Sequence, residues 1–357
     1  MVRFCHITDS HLGLMQFGLE ERRKDFQKNF ERAYETCIKQ SPDFIIHTGD
    51  FFDSWDPPVI SVNDTLKFFK EYNDTDLYII PGNHDLPIYE NALNTPLNYF
   101  QHEKFITVFL KRRNIEAVEK EYDGRIVKIW GIPWVARIHL QDRLSQIKPN
   151  GEINIGLVHA SPIRELADKE LPKIDYWGVG HIHSKYRDGN KRIFSPGSTS
   201  FVNLEMEHEG KVVYVVDIDA QGLEINEIEI PRIRTVSILS RINLENTAPE
   251  NFQDMLFAIL SKYEINDAIV IIPLTGNIPL SKKFEIPFRD IIDNIYNEFS
   301  PLFVHFKHEE YTYIENEFEF SNPLNIMENL EKVLENEINR EKILAKAQEI
   351  LGAQEND

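Results

Sequence analysis

Residues 44–53 have the sequence FIIHTGDFFD, in which an apolar run leads into two acidic residues. The run has the length of a short buried strand. Gly49 follows it, and because glycine lacks a side chain, the backbone can bend sharply there while the next polar side chain turns inward. The pattern predicts a strand at 44–48 that ends at the carboxylates of Asp50 and Asp53.

Four further motifs have the same form, with polar side chains at or just after the end of a predicted strand. They are DSH at 9–11, GNHD at 82–85, LVHA at 157–160 and GHIH at 180–183. In α/β folds the loops at the carboxyl ends of strands converge and hold the ligands. Any one of these motifs occurs often by chance, but five in order along one chain predict a single composite site.

The rest of the first 220 residues alternates short apolar runs with helical patterns, which is typical of a layered α/β domain. Strands are predicted at 2–8, 77–80, 126–132, 153–158, 176–179, 212–217 and 223–230, and helices at 20–39 and 60–72. The last two strands are expected to form a hairpin at a sheet edge.

A smaller α+β pattern follows a predicted boundary at residue 230. Its strands are predicted at 235–242, 268–273 and 302–307, and its helices at 249–263 and 287–299. Residues 323–351 then predict a charged amphipathic helix or helix pair, because apolar residues recur there at three- and four-residue spacing.

Composition limits the function classes. The chain has 357 residues, enough for two or three domains. Its 39 basic and 58 acidic residues give a net charge of −19, which argues against a sequence-independent nucleic-acid coat. No apolar stretch approaches the roughly 18 residues of a membrane span. Cys5 and Cys37 lie in apolar stretches, which predicts reduced core thiols and a cytoplasmic protein.

The motifs supply a mixed set of nitrogen and oxygen donors. The Asp, Asn and His side chains of the five motifs supply seven candidate metal ligands. Such a set suits manganese, iron or zinc better than calcium. It is too large for one tetrahedral ion and fits two ions about 3.5–4 Å apart that share a carboxylate. Asp50 is the expected bridge, and the net positive charge that remains would attract a phosphodiester.

These five motifs resemble those of the calcineurin-like metallophosphoesterases, which share a four-layer β-sandwich flanked by helices. The resemblance implies that one metal is bound by Asp9, His11, Asp50 and His183. It implies that the second is bound by Asp50, Asn83, His159 and His181. His84 would then be a catalytic residue that contacts the scissile phosphate or the leaving group and binds no metal.

A narrower resemblance extends over residues 1–220. The stretches DSHLG at 9–13, GDFFD at 49–53, YWGVGHIH at 176–183 and SPGS at 195–198 are similar to the SbcD family, whose archaeal and eukaryotic counterpart is called meiotic recombination eleven. These are nuclease subunits of a DNA double-strand-break-repair complex.

The narrower resemblance implies three domains: a nuclease domain at 1–230, an α+β DNA-capping domain at 231–320 and an acidic helical tail at 321–357 that binds an SbcC-type ABC ATPase. It also implies two manganese ions, 3′-to-5′ exonuclease action on duplex DNA and endonuclease action on single strands. The tail is acidic, since residues 309–357 hold four basic and thirteen acidic residues.

Two other functions stay open at this point. A phosphatase or nucleotide phosphodiesterase of the same superfamily would share the metal site. A non-catalytic DNA-end tether for the ATPase is also possible, although the full ligand set and His84 argue against it. The appended module and tail favour the nuclease, because a small-molecule phosphatase needs neither.

The sequence also contains candidate surfaces for a homodimer contact and for DNA contact. The helix at 60–72 has Val62, Leu66 and Phe69 on one face, and Leu93, Leu97 and Phe100 follow at helical spacing. These apolar faces fit either a deeply buried helix or a homodimer seam, and the family's use of the two helices favours the homodimer. Two basic stretches are candidates for DNA contact: residues 111–113, and the loop with Lys185, Arg187, Lys191 and Arg192.

Overall fold

The computed structural model describes residues 1–87, 95–204, 209–245, 247–279, 286–314, 330–331, 334 and 341–347. The chain divides into two compact units, Met1–Arg234 and Thr235–Asp357. Within the described ranges, no helix has both the length and the apolar character needed to cross a bilayer.

The first unit alternates strands with helices. Its strands are β1 (Val2–Ile7), β2 (Phe44–His47), β3 (Asp76–Ile79), β4 (Ile106–Val108), β5 (Glu116–Tyr122), β6 (Arg125–Ile132), β7 (Ile153–Val158), β8 (Tyr176–Val179), β9 (Tyr186–Asp188), β10 (Ile193–Ser195), β11 (Val212–Ile218) and β12 (Leu223–Glu229). Its helices are α1 (Glu20–Ile38), α2 (Val59–Glu71), α3 (Leu97–Phe100) and α4 (Arg137–Leu144), and a 3₁₀ turn spans Gln16–Gly18.

These strands form two six-stranded sheets, with the orders β12-β11-β1-β2-β3-β4 and β5-β6-β7-β8-β10-β9. Successive side chains of a strand point to opposite faces. In β2, Phe44 and Ile46 therefore pack into the core between the sheets, whereas Ile45 packs into the core beneath α1 and α2. The outer face of the second sheet packs with α4. The layers are helix, sheet, sheet and helix, which confirms the predicted four-layer fold.

The second unit has a separate core and a parallel sheet. Its strands are β13 (Val236–Ile238), β14 (Ile242–Asn243), β15 (Ile269–Pro279) and β16 (Phe303–Ile314), its helices are α5 (Phe252–Leu260) and α6 (Phe288–Phe299), and a 3₁₀ turn spans Pro249–Asn251. The sheet order is β13-β15-β14, with β16 also paired to β15. Buried side chains of both helices, such as Phe252 and Ile295, pack on β15.

The predicted elements match those observed in the first unit to within one or two residues, and β11 and β12 form the predicted edge hairpin. The second unit differs. The predicted strand at 235–242 is two short strands, and the strands at 268–273 and 302–307 extend to Pro279 and Ile314 because they pair with each other. β5 was not predicted, because its sequence EAVEKEY is mostly charged and contains no apolar run. It is the edge strand of its sheet.

Most of the predicted tail helix lies outside the described residues. Residues 330–331 and 341–347 are helical. The backbone N–H of Leu334 donates to the Leu330 carbonyl at 3.0 Å, and Leu334 is buried. Leu344 and Ala347 are half-buried, while their neighbour Ile343 is exposed, as expected for an apolar helix face with residues three apart.

Candidate metal centre

The predicted site residues follow the carboxyl ends of parallel strands in both sheets. Asp9 follows β1, Asp50 follows β2 and Asn83 follows β3 in the first sheet, while His159 follows β7 and His181 follows β8 in the second. The two sheets face each other across a shared core, so these loops meet at one edge of the sandwich. The structure thus brings the five motifs together.

One group contains Asp9, His11 and His183, which offer ligand atoms within 4.8 Å of one another. The Nε2 atoms of the two histidines lie 3.2 Å apart. Nδ1 of His11 lies 3.0 Å from a carboxylate oxygen of Asp53, which can only accept when ionised. That contact fixes the His11 tautomer and leaves Nε2 as the nitrogen that can bind a cation.

A second group contains Asp50, His159 and His181, also within 4.8 Å. Nδ1 of His159 donates to the carbonyl of Thr48 at 2.8 Å, so Nε2 carries the lone pair when the ring is neutral. This Nε2 faces two acceptors, Oδ1 of Asn83 at 3.1 Å and Oδ2 of Asp50 at 3.2 Å. Three atoms with lone pairs that converge in this way require a proton or a metal cation between them. This set of nitrogen and oxygen ligands therefore fits a metal ion.

Asp50 connects the two groups through a single oxygen. Its Oδ2 lies 3.2 Å from Nε2 of His159 and 3.8 Å from Nε2 of His11. Its Oδ1 accepts the backbone N–H of His84 at 2.9 Å, which holds the carboxylate in this orientation. An oxygen that lies between ligand atoms of both groups is the arrangement expected of a carboxylate shared by two ions.

The electrostatics of Asp50 and His159 are those of a buried ion pair. Burial alone would raise the pKa of Asp50, but the charges of His159 and His11 hold that pKa well below its usual range. Burial likewise disfavours protonated His159, yet the adjacent Asp50 carboxylate raises the pKa of His159 to about 9. The pocket thus favours a positive charge next to Asp50, as either a proton or a metal ion.

The backbone at the site is strained. Asp9, His11, Asp50 and His181 have φ angles of 49°, 46°, 48° and 74°. This left-handed region is uncommon for residues other than glycine and costs on the order of 1–3 kcal/mol each. Four such residues among seven candidate ligands indicate that the fold holds these side chains in place before anything binds.

Glycines of the motifs allow the backbone to bend and allow neighbouring side chains to approach it closely. Gly49 has a φ of +100°, as expected for a sharp bend. Gly82 has no such angle, and a Cβ there would lie 2.1 Å from Oδ1 of Asp50. Glycine at position 82 therefore leaves room for the Asp50 carboxylate.

His84 lies at the rim, with its side chain 42% exposed. Its Nδ1 donates to the backbone carbonyl of Asp53 at 2.8 Å, and its ring packs edge-on to that of His11 at 4.9 Å. His11, Asp53 and His84 form a third group of potential ligand atoms. However, the Nδ1 atoms of both rings already donate to Asp53, so the group is held together by hydrogen bonds without an ion.

Several residues without a predicted role support the site. The buried Asp85 carboxylate accepts the backbone N–H groups of Phe51, Phe52 and Gly82 at 3.0, 2.7 and 2.8 Å, which joins the loops after β2 and β3. Burial and the nearby Asp50 raise its pKa to about 6. Glu165 lies 3.9 Å from Nε2 of His181 and accepts the N–H of Ser161. Asp85 was visible in the GNHD motif, whereas no sequence signal indicated Glu165.

The basic loop after His183 is not one continuous patch. Lys185 and Arg187 both form ion pairs with Glu227, at 3.1 and 3.0 Å. Lys191 and Arg192 precede β10, which is parallel to β8 and pairs Ile193 with Trp177. They lie at the amino end of these strands, opposite the metal centre. Lys191 and Arg192 are close to His183 in sequence but not in space, because β9 runs away from the site.

The other basic stretch is on the same edge as the site. Residues 111–113 follow β4, which is parallel to β3, so they lie at the edge from which Asn83 projects. The guanidinium of Arg112 lies 5.7 Å from the ring of Trp134. The backbone N–H of Trp134 donates to the carbonyl of Pro81 at 2.9 Å, directly before the GNHD motif.

The chain is similar to known proteins. The family model for calcineurin-like phosphoesterases matches residues 2–185. The chain is similar to proteins called DNA double-strand break repair protein Mre11. The match to that of Methanocaldococcus jannaschii is 28% identical and covers 63% of this chain and 65% of the relative. The match to that of Saccharolobus solfataricus is 28% identical and covers 68% and 65%.

The protein of the same name from Methanococcus maripaludis is 26% identical over 84% of this chain and 80% of the relative. The chain spans slightly less than two thirds of the length of the first two relatives. These matches confirm the resemblance that the five motifs predicted.

Proposed function

The chain belongs to the calcineurin-like phosphoesterase family, and we propose that it is a manganese-dependent DNA nuclease of double-strand-break repair. In this proposal it cleaves duplex DNA from the 3′ end and cuts single strands internally, and it acts in the cytoplasm at the nucleoid. The similarity to repair proteins and the phosphoesterase match support the nuclease class.

The observation that carries the proposal is the position of Oδ2 of Asp50 between two groups of ligand atoms. We assign Asp9, His11, Asp50 and His183 to one ion, and Asp50, Asn83, His159 and His181 to the other. When bound, two divalent ions neutralise phosphate charge and activate a water molecule for in-line attack.

The residues of the chain hold and complete this arrangement. Asp53 and the Thr48 carbonyl fix the tautomers of His11 and His159, so that both Nε2 atoms face Asp50. His84 is anchored through Nδ1, and its exposed ring has Nε2 left to contact a phosphate oxygen. In its protonated form, this nitrogen donates a proton to the leaving oxygen.

A phosphatase or nucleotide phosphodiesterase is the second candidate, because it would use the same metal centre. The second unit has its own core and contributes none of the metal ligands assigned above. It favours the nuclease, because a small-molecule phosphatase needs no such additional unit. The third candidate, a non-catalytic tether, is disfavoured by the strained backbone of four ligand residues, since a tether has no need for that cost.

The test compares three substrates with Mn²⁺, with Mg²⁺ and with EDTA: linear duplex DNA labelled at either end, circular single-stranded DNA and p-nitrophenyl thymidine phosphate. We expect Mn²⁺-dependent release of nucleotides from the 3′ ends and opening of the circles. Asp50→Asn is the matched control and should be inactive on all three. Hydrolysis of the small ester with no cleavage of either DNA would favour the phosphodiesterase, and inactivity on all substrates would favour the tether.

A homodimer is part of the proposal, but its surface differs from the predicted one. Phe69 is buried, and Val62 and Leu66 pack on the protein's own core. Leu97 and Phe100 do the same, while Leu93 lies outside the described residues.

Among the described residues of this region, the exposed apolar side chains are instead Trp55, Val59, Ile60 and Tyr99, which are 43%, 73%, 52% and 66% exposed. Trp55, Val59 and Tyr99 line one groove together with the half-buried Val62, and we assign the seam to this groove and the neighbouring Ile60.

A further inference from the structure

The SPGS motif at 195–198 has no role in the metal ligation proposed above, yet its last residue holds the backbone of His183. The N–H of Ser198 donates to the carbonyl of His183 at 3.1 Å, and the Ser198 hydroxyl donates to the carbonyl of Ser200 at 2.7 Å. Gly197 has a φ of +79°, and a Cβ there would lie 2.7 Å from the same His183 carbonyl. The motif is therefore packed directly against the last predicted ligand.

Lys211 approaches the same carbonyl from the position directly before β11, a strand of the other sheet. Its Nζ donates to the Ser198 hydroxyl oxygen at 2.8 Å and to the His183 carbonyl at 3.3 Å, and it lies 5.0 Å from the centre of the Phe201 ring. The residue is only 9% exposed. A lysine buried to this degree loses hydration that its hydrogen bonds must replace, so its position is well determined.

Ser198 also contacts the loop that carries Asp9. Ser198 and Thr8 form an isolated parallel bridge, and the Thr8 hydroxyl donates to the Asp9 carboxylate at 2.8 Å. Lys211 and Ser198 thus restrain Asp9 and His183, which belong to the same predicted ion. The group around the other ion is held by different atoms, chiefly the Thr48 carbonyl and the Asp85 carboxylate.

We propose that Lys211, acting through Ser198 and the His183 carbonyl, is a positioning residue for the ion bound by Asp9, His11 and His183, and not for the second ion. The inference rests on the two-metal site of the proposed function. Partners that orient metal ligands without touching the metal typically change its affinity 10–100-fold when they are removed.

The test is calorimetric titration of the metal-free protein with Mn²⁺, together with the Mn²⁺ electron paramagnetic resonance spectrum, which distinguishes a coupled pair from a single ion. Lys211→Met keeps the length of the side chain and removes the donor. We expect one of two Mn²⁺ sites to weaken about 10–100-fold, so that the coupled signal appears only at correspondingly higher Mn²⁺ while the second site is unchanged. Lys128→Met is the matched control, because Lys128 is also largely buried, at 16% side-chain exposure, and lies on β6 over Trp130.

Ser198→Ala is the second variant and removes only the hydroxyl, so it remains informative if Lys211→Met does not fold. It should weaken the same site by a smaller factor. Equal weakening of both sites, or of neither in a folded variant, would overturn the role of Lys211. Failure of the wild-type protein to bind two Mn²⁺ ions would overturn the proposed function instead, so the two failures are distinguishable.

Discussion

At the scale of single residues, a defined hydrogen bond orients each of three candidate ligands. The imidazole of His159 is oriented by the Thr48 carbonyl, that of His11 by Asp53, and the Asp50 carboxylate by the backbone N–H of His84. These partners decide which nitrogen or oxygen faces the centre. A substitution at the site can therefore change metal binding, catalysis or both, depending on which atom it removes.

His84 and Asp50 separate these two effects. His84→Ala removes an exposed ring but keeps the backbone N–H that orients Asp50. We expect this variant to keep both metals and to lose most of its nuclease activity, on the order of 10²–10⁴-fold. Asp50→Ala should lose metal as well, because it removes the shared oxygen. Metal content by elemental analysis checks this, and absence of both metals from His84→Ala would contradict the role given to His84.

At the scale of elements, the order of strands decides which surface lies near the metals. β4 is parallel to β3 and delivers residues 111–113 to the edge that carries the site. β9 runs back from the site, so Lys191 and Arg192 lie at the other edge. Two basic stretches that look equivalent in sequence thus have different positions relative to a bound phosphodiester.

A pair of charge-matched variants tests this difference. Replacing Arg112 and Arg113 with Ser should weaken duplex DNA binding and reduce the slope of log K against log salt by about 0.9 for each phosphate that is no longer neutralised. Replacing Lys191 and Arg192 with Ser removes the same charge from the far edge and should leave the slope unchanged. Binding isotherms at several salt concentrations measure both, and equal slopes for the two variants would contradict the assignment.

Helix α2 carries the second prediction at this scale. Ile60 is 52% exposed on α2, and Ile126 is 42% exposed on β6. If the α2 surface is the dimer seam, Ile60→Glu should convert the dimer to a monomer, because an unpaired carboxylate would be desolvated there. Ile126→Glu is the control and should stay dimeric. Light scattering after size exclusion gives the mass, and a dimeric Ile60→Glu protein would move the seam elsewhere.

At the scale of the whole molecule, the chain divides into two compact units. The metal centre lies entirely in Met1–Arg234, while Thr235–Asp357 has its own parallel sheet and core. Nearly half of the net negative charge lies in the last 49 residues. A separate acidic segment of this kind is suited to a basic protein partner, and such contacts are sensitive to salt.

Removal of the tail tests this division. Truncation after Phe320 should leave metal content and basal nuclease activity nearly unchanged, because no assigned ligand lies beyond residue 183. If the tail binds an SbcC-type ATPase, as the family resemblance implies, the truncation should weaken that binding severalfold or more. Co-purification at two salt concentrations measures the binding, and undiminished association would mean that the tail helices pack on their own unit instead.

Local patterns in the chain are enough to predict the class of fold and a composite site, and the family resemblance of its motifs identifies the candidate ligands. Apolar runs of strand length end at polar motifs, and parallel strands bring their carboxyl ends to one edge whatever the details of packing. The supporting contacts required the tertiary structure. Asp85 joining two loops, Glu165 beside His181, and Lys211 on the His183 carbonyl depend on loop geometry and on how two sheets face each other. Sequence spacing carries no information on such contacts, since they join residues from different strands that meet only after the sheets have packed.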